Sequence, residues 1–381
     1  MTTTLRVIVD EILAPSSGGL GRYTEELTRQ LIRTAPADCE VTGIVSASPA
    51  ADYATVEGLL PGLADLTKSA LSRRELHVAW QLGLTRLPGG GMVHAPSLLA
   101  PLNRHDRVHN TGDQTVVTIH NTLPWTYPDS LGGRESARLK ALAKRAHKYA
   151  DAIVVPTHAV ASELSEILNF GERIRVIGGA VGSNLLIPTD ADARAKRLKL
   201  PERFLLTVGS LDPRKGIDSL IRSLGTEGDA GLPLLIVGPA APADTAALAR
   251  LATEAGLAEG RVRSLGPLSD EDLSVALDRA SVFVFPSLSE GFGVPMLEAF
   301  HFGTPVVHSD APALVEVAAE AGVVVARSTP DTYPERLAEA IVSVLDNPAL
   351  TQRLRYAGFD RASAFSWRDS AQRVWQLHAD L

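Results

Sequence analysis

One stretch of this chain sets the terms for the rest. Val282, Phe283, Val284 and Phe285 make a short β-branched and aromatic run, the pattern of a strand buried on both faces, as strands of a parallel sheet are. The run empties into Pro286, Ser287, Leu288, Ser289, Glu290, Gly291, Phe292 and Gly293, and then into a segment that opens on Val294 and Pro295. Proline suits the first turn of a helix, where its missing N–H would have had no partner. The order strand, glycine turn, helix start leaves unpaired N–H groups and the positive end of a helix dipole facing the carboxyl edge of a sheet. That is a place for an anion. Gly291 and Gly293 carry no side chain to keep a ligand from the backbone. Glu290 before the helix and Glu298 about one turn into it can grip different parts of one elongated ligand.

The same alternation of strand and helix runs along the chain, so the fold class is α/β. Strands are expected at residues 5–9, 41–46, 92–95, 115–119, 151–156, 173–177, 204–209, 234–238 and 262–266, with helices at 22–32, 134–150, 217–224, 244–255, 334–345, 350–364 and 367–381. A length of 381 residues exceeds one comfortable α/β core. We therefore expect residues 1–182 to form one Rossmann-like domain, 183–200 a linker and 201–364 a second, with the terminal helix 365–381 packing back onto the first.

Composition narrows the function classes. Charged residues at 21% and hydrophobic residues at 45% describe a globular protein, and a formal charge of -7 argues against nucleic acid as the main partner. The single cysteine, Cys39, offers neither an internal disulfide nor a metal cluster, which fits a reducing cytoplasm. The first residues enter a strand without a charged-then-apolar leader, and no apolar stretch approaches the ~18 residues that span a bilayer. A cytoplasmic location is expected.

A second cluster of chemistry follows the strand at 204–209, in Leu211, Asp212, Pro213, Arg214, Lys215 and Gly216. Two cations at a strand's carboxyl end can stabilise charge that grows on a departing phosphate, Arg with a planar fork and Lys as a point charge. His120, with Asn121 after it, closes the strand at 115–119 and points into the crevice where such sheets bind ligands. Ser16, Ser17, Gly18, Gly19, Leu20 and Gly21 read as a flexible loop delivered to a helix start, able to cup a phosphate. The loop lacks the spacing Gly-x-Gly-x-x-Gly, which disfavours a nicotinamide enzyme. Two mixed basic and apolar segments, 66–87 and 134–150, could meet an anionic membrane surface, or could be helices with one side solvated.

The run from Ser289 to Phe300, followed by Gly303, Thr304, Pro305, Val306 and Val307, closely resembles the Glu-(seven residues)-Glu signature of retaining, nucleotide-sugar-dependent glycosyltransferases of family 4. These have the GT-B fold, two Rossmann-like domains with parallel sheets facing an interdomain cleft. The resemblance implies that Glu290 contacts donor-sugar hydroxyls, that Glu298 holds the ribose diol, and that Arg214 and Lys215 bind the pyrophosphate. It places His120 near the donor sugar, making His120, Arg214, Lys215 and Glu290 the catalytic set. Gly19, Gly209, Gly266, Leu268, Gly291, Phe292, Gly293 and Val294 complete the donor-binding residues, with the turn at Gly266 and Leu268 reading the base through backbone groups. Asn121, where the family often has Asp, and the Gly178-Gly179 turn at the crossing are departures.

The implied reaction moves a hexose from a nucleotide diphosphate sugar to a hydroxyl of a glycan, glycolipid or small glycoside. GDP-mannose is the first donor expected and UDP-linked sugars the second. No cofactor and no metal is implied, and no Asp-x-Asp triplet is read as a metal site. Nucleic acid is not expected as a partner, and membrane contact, if made, would be peripheral. A nucleotide-sugar epimerase of the same fold and a non-catalytic sugar-nucleotide-binding relative remain as alternatives. A glycosidase is disfavoured, because its carboxylate pair would have to flank a glycosidic bond.

Overall fold

Each half of the chain is organised by an all-parallel sheet. In the computed structural model, which describes residues 2–14, 18–85, 90–106, 109, 112–238 and 241–381, the chain divides into two units. The first comprises Met1–Gly179 with Ser366–Leu381, and the second Ala180–Phe365.

In the first unit the strands are β1 (Thr3–Ile8), β2 (Cys39–Ala47), β3 (Asp65–Ser72), β4 (Met92–Ala95), β5 (Gln114–Thr118), β6 (Ala152–Val155) and β7 (Ile174–Val176). They lie in the order β3-β2-β1-β4-β5-β6-β7. The second unit holds β8 (Leu205–Val208), β9 (Leu234–Val237), β10 (Val262–Gly266), β11 (Val282–Phe285), β12 (Val306–Ser309) and β13 (Gly322–Val325), in the order β10-β9-β8-β11-β12-β13. Strand order therefore reverses between β1 and β4 in one sheet and between β8 and β11 in the other. At such a reversal the loops leaving the two neighbouring strands diverge and open a crevice at the carboxyl edge.

Alternation along β11 shows why the sheet is covered on both faces. Phe283 and Phe285 join one core, with Met296, Leu297 and Phe300, while Val282 and Val284 join another, with Ile217, Leu220, Leu337 and Ile341. A continuous apolar run is what two covered faces require. Local chemistry sets several helix starts: the Thr157 hydroxyl accepts from Val160 N at 3.2 Å, and the Ser269 hydroxyl from Asp272 N at 3.3 Å.

Several expectations need correction. Gly18, Gly19, Leu20 and Gly21 are the first turn of helix Gly18–Arg33 rather than a loop, and Ser16 and Ser17 lie outside the described residues. Glycine is inexpensive there, because the first N–H groups of a helix have no intrahelical partner to lose. The basic segment 66–87 is two elements, β3 and helix Arg73–Leu82, and its end at Arg86 and Leu87 lies outside the described residues. Ser72 breaks it by capping the helix, with Glu75 reaching back to Ser72 N at 2.9 Å. The expected linker 183–200 contains helix Ala191–Arg197, which belongs to the second unit and is tied to helix Asp270–Arg279 by Arg194–Asp272 at 2.8 Å and Arg197–Asp272 at 2.6 Å.

The terminal helix Trp367–Asp380 is part of the first unit. Trp375 Nε1 donates to the Leu31 carbonyl at 3.1 Å, and the Ser370 hydroxyl to the Gly178 carbonyl at 2.7 Å.

Candidate active site

The loops leaving β8 and β11, the two strands at the reversal in the second sheet, carry most of the residues singled out from sequence. After β8, Asp212 caps a short turn Pro213–Lys215 by accepting from Arg214 N at 3.0 Å. Gly216 closes that turn at a φ of 64°, and a Cβ there would strike the Pro286 carbonyl of the loop after β11. Only glycine allows this backbone-to-backbone approach. The two loops are joined by Leu288 N, which donates to the Arg214 carbonyl at 2.7 Å.

This packing brings three charged groups together. Lys215 Nζ lies 2.5 Å from Glu290 Oε1, and Arg214 Nη1 lies 3.5 Å from the same oxygen. All three side chains are largely buried, at 19%, 11% and 13% exposure for Lys215, Arg214 and Glu290. Low exposure strengthens each charge's field relative to a surface position. Lys215 also sits 5.6 Å from the centroid of Phe285. Arg214 Nε is buried 3.6 Å from the Asp212 carboxylate, and Nη1 donates to the Ser289 carbonyl.

Glu298 stands in the middle of helix Val294–His301 and is 3% exposed. Gly293 caps that helix at a φ of 91°, where an added Cβ would press on Leu314. Phe292 is buried edge-on against Phe365, with centroids 5.5 Å apart, while Gly291 begins the approach to the helix and Val294 packs on the core beneath. Gly209 follows β8, and a Cβ on it would lie 3.5 Å from Lys215 Cγ. Gly266 ends β10, its carbonyl accepting from Gly238 N at 3.0 Å, and Leu268 packs against the core.

The structure also reveals residues that sequence reasoning missed. Successive carbonyls of the β11 loop each accept a hydrogen bond from a different side chain: Pro286 from the Tyr333 hydroxyl at 3.1 Å, Ser287 from the Ser309 hydroxyl at 2.5 Å, Leu288 from Arg327, and Ser289 from Arg214 at 2.9 Å. Arg327 is itself held by Asp310, through Nε at 2.5 Å and its backbone N–H at 3.0 Å. Burial pushes the Asp310 carboxyl up, but the hydrogen bonds from Arg327 outweigh it and leave the carboxyl below its usual range. The loop bearing Glu290 is thus braced by four side chains.

Two Asp-x-Asp triplets occur, Asp190-Ala191-Asp192 and Asp270-Glu271-Asp272, and arginines engage Asp190, Asp192 and Asp272. Asp190 pairs with Arg194 at 2.7 Å, Asp192 with Arg279, and Asp272 with Arg194 and Arg197. Among the described residues no three His, Cys, Asp or Glu are grouped as metal ligands.

His120 and Gly19 belong to the first unit. His120 follows β5, beside the reversal between β1 and β4, and its Nε2 lies 2.7 Å from the Pro96 carbonyl. Burial pulls its pKa below the ordinary imidazole value, and the bond to Pro96 only partly offsets this. A Cβ on Gly19 would meet nothing within 4 Å. At the carboxyl end of β1, buried Asp10 accepts from Ser46 N at 2.8 Å and pairs with Arg73 at 2.8 Å and His77 at 3.1 Å. His94 is fully buried against His378.

Comparison with known proteins bears on both units. Residues 17–182 match the family model described as "Glycosyltransferase Family 4", and residues 189–361 match "Glycosyl transferases group 1". The chain belongs to the family 4 glycosyltransferases. This family 4 member is 28% identical over 267 residues to the serotype-specific mannosyltransferase WbdA of Escherichia coli, covering 68% of this chain and 32% of that protein. It is 29% identical over 267 residues to O-antigen chain mannosyltransferase B of Escherichia coli, covering 68% of each. The match thus spans about a third of the length of WbdA. In fold it is similar to Anabaena HepE in complex with UDP and glucose, with a TM-score of 0.72 and 17% identity over the full length of both chains. The two parallel-sheet, Rossmann-like units expected from sequence are those of a GT-B glycosyltransferase.

Proposed function

We propose that this family 4 member transfers a hexose, mannose from GDP-mannose in the first instance, to a hydroxyl of a glycan or glycolipid, with retention of anomeric configuration. The observation that carries this reading is the grouping of Arg214, Lys215 and Glu290 at the strand reversal of the second sheet. A diphosphate seated there would be met by two cations, and by the amides that begin helix Val294–His301. Buried Glu298 would take the ribose diol, and Glu290 the donor-sugar hydroxyls.

In the transfer the bond from the anomeric carbon to the phosphate oxygen breaks, while the acceptor oxygen bonds to that carbon from the same face. The acceptor proton passes to the departing phosphate oxygen. Arg214 and Lys215 stabilise the charge that develops there, so the reading assigns no task to a metal. In the first unit neutral His120 would accept a hydrogen bond from a substrate hydroxyl. Mannose is favoured by the two relatives, both mannosyltransferases, and a UDP-linked sugar, the second reading, by the UDP bound to HepE.

The acceptor side of the reading places the enzyme at the cytoplasmic face of a membrane. Val78, Leu82 and Leu84 are 46%, 60% and 74% exposed on and just after helix Arg73–Leu82. Helix Gly133–Tyr149 lies beside it, Arg145 reaching Gly83, and exposes Arg134, Lys144 and Lys148. An apolar strip flanked by cations suits an anionic bilayer surface. Among the described residues no helix is long and apolar enough to cross a membrane.

The deciding experiment is proton NMR of purified protein with GDP-mannose or UDP-glucose, with and without mannose-terminated oligosaccharides. The reading expects an acceptor-dependent product whose first-formed anomeric signal keeps the donor's configuration. Donor consumption without acceptor, an inverted product, or no turnover of any donor would each defeat it.

A further inference from the structure

The surroundings of His120 specify more than its presence. Its ring is met edge-on by Tyr23, with centroids 4.6 Å apart and planes at 85°. Tyr23 is in turn met by Trp367 at 5.3 Å and 71°. Edge-to-face pairs of this kind contribute about 0.5–1.5 kcal/mol beyond the area they bury, and they fix ring orientation. The three rings come from three elements of the first unit: the helix after β1, the loop after β5, and the start of the terminal helix. Tyr23 therefore bears directly on the His120 ring.

The bond to Pro96 decides the tautomer. A carbonyl oxygen can only accept, so the nitrogen 2.7 Å from it, Nε2, must carry the hydrogen. In the neutral ring Nδ1 is then an unprotonated acceptor. A ring turned over by half a revolution would put the carbon Cε1 where Nε2 stands and lose the hydrogen bond to Pro96.

We propose that Tyr23, backed by Trp367, is a positioning residue for His120: it holds the imidazole with Nε2–H on the Pro96 carbonyl, so that Nδ1 is presented as a hydrogen-bond acceptor to a substrate hydroxyl. The substrate part rests on the transferase reading above; the positioning part does not. Residues of the first helix and the terminal helix thereby bear on the His120 side chain through edge-to-face rings. The effect belongs to turnover, because an acceptor misplaced by a fraction of an ångström still leaves the donor's nucleotide contacts in place.

The test pairs spectroscopy with kinetics on the full chain. Long-range proton–nitrogen NMR of wild-type protein should show His120 with Nε2 protonated and Nδ1 bare. Tyr23→Phe keeps the ring and should retain that tautomer and near-wild-type kcat. Tyr23→Leu should give a mixed tautomer signal and lower kcat by roughly tenfold, with donor KM little changed. A wild-type ring protonated on Nδ1, or a Tyr23→Leu variant with unaltered tautomer and kcat, would overturn the proposal. If His120→Ala turns over normally while Tyr23→Leu still scrambles the tautomer, the positioning stands and the role of His120 in transfer falls.

Discussion

Lys215 is the residue on which the chemistry leans most. Its ammonium pairs with Glu290 at 2.5 Å and sits 5.6 Å from the Phe285 ring centroid, and a ligand diphosphate offers it a stronger anion. Lys215→Ala should therefore lower kcat by on the order of a hundredfold or more, measured with saturating donor, while leaving the melting temperature close to wild type. Unchanged turnover would remove Lys215 from the mechanism. Glu298→Ala is expected to behave differently, weakening nucleotide affinity more than it slows turnover, and calorimetric titration with GDP would show the split.

The placement of Lys215 in the loop after β8 and of Glu298 in the helix after β11 was legible in the sequence, because β8 and β11 are largely apolar runs and the loops and helix starts that follow them lie at the carboxyl edge of the sheet. The braces of the Glu290 loop were not. Tyr333, Ser309 and Arg327 contribute single hydrogen bonds to carbonyls 47, 22 and 39 residues away, a pairing set by tertiary packing that leaves no local pattern.

Among the elements, the terminal helix carries the clearest pH dependence. His378 is 3% exposed, its Nδ1 lies 2.9 Å from Gln114 Oε1, and its Nε2 faces His94 Nδ1 at 3.4 Å. Burial lowers the His378 pKa from 6.5 to about 4, and burial followed by the neighbouring His378 lowers His94 well below the ordinary value. Between those two values the unfolded chain binds more protons than the folded one. The docked helix is thus fully stable above about pH 6.5 and loses stability as pH falls, on the order of 3 kcal/mol from His378 once pH 4 is reached.

Thermal melts should show the wild-type midpoint dropping by roughly 3–5 °C between pH 7.5 and 5.5, and dropping less in His378→Gln. Equal drops in the two proteins would rule the histidine pair out as the cause. The amphipathic reading of helices Arg73–Leu82 and Gly133–Tyr149 is tested by flotation with phosphatidylglycerol vesicles. Wild type should float, a Leu82→Asp, Leu84→Asp variant should not, and failure of wild type to float would end the membrane proposal. Sequence pattern showed the helix Gly133–Tyr149 almost to the residue, because a 17-residue amphipathic stretch carries several turns of signal. It missed strands β12 and β13, whose apolar stretches are only two or three valines long.

For the whole molecule, the account holds that one sheet presents a pair of cations to a diphosphate, at the point where its strand order reverses, and that family 4 chemistry follows from this. The fold was readable because two buried parallel sheets need long alternations of apolar strand and amphipathic helix, and the chain's length allows two. The donor base was not, since the turn proposed to read it, at Gly266, would do so through backbone groups, which leave no side-chain signature. The most direct measurement is calorimetric titration of the full chain, wild type and Arg214→Ala, Lys215→Ala, with GDP, UDP and GMP. The account predicts that wild type binds a nucleoside diphosphate, that GMP binds more weakly for want of the second phosphate, and that the double variant loses at least about tenfold in diphosphate affinity while its GMP affinity barely moves. Equal diphosphate affinity in wild type and double variant, or no binding of either diphosphate, would contradict it.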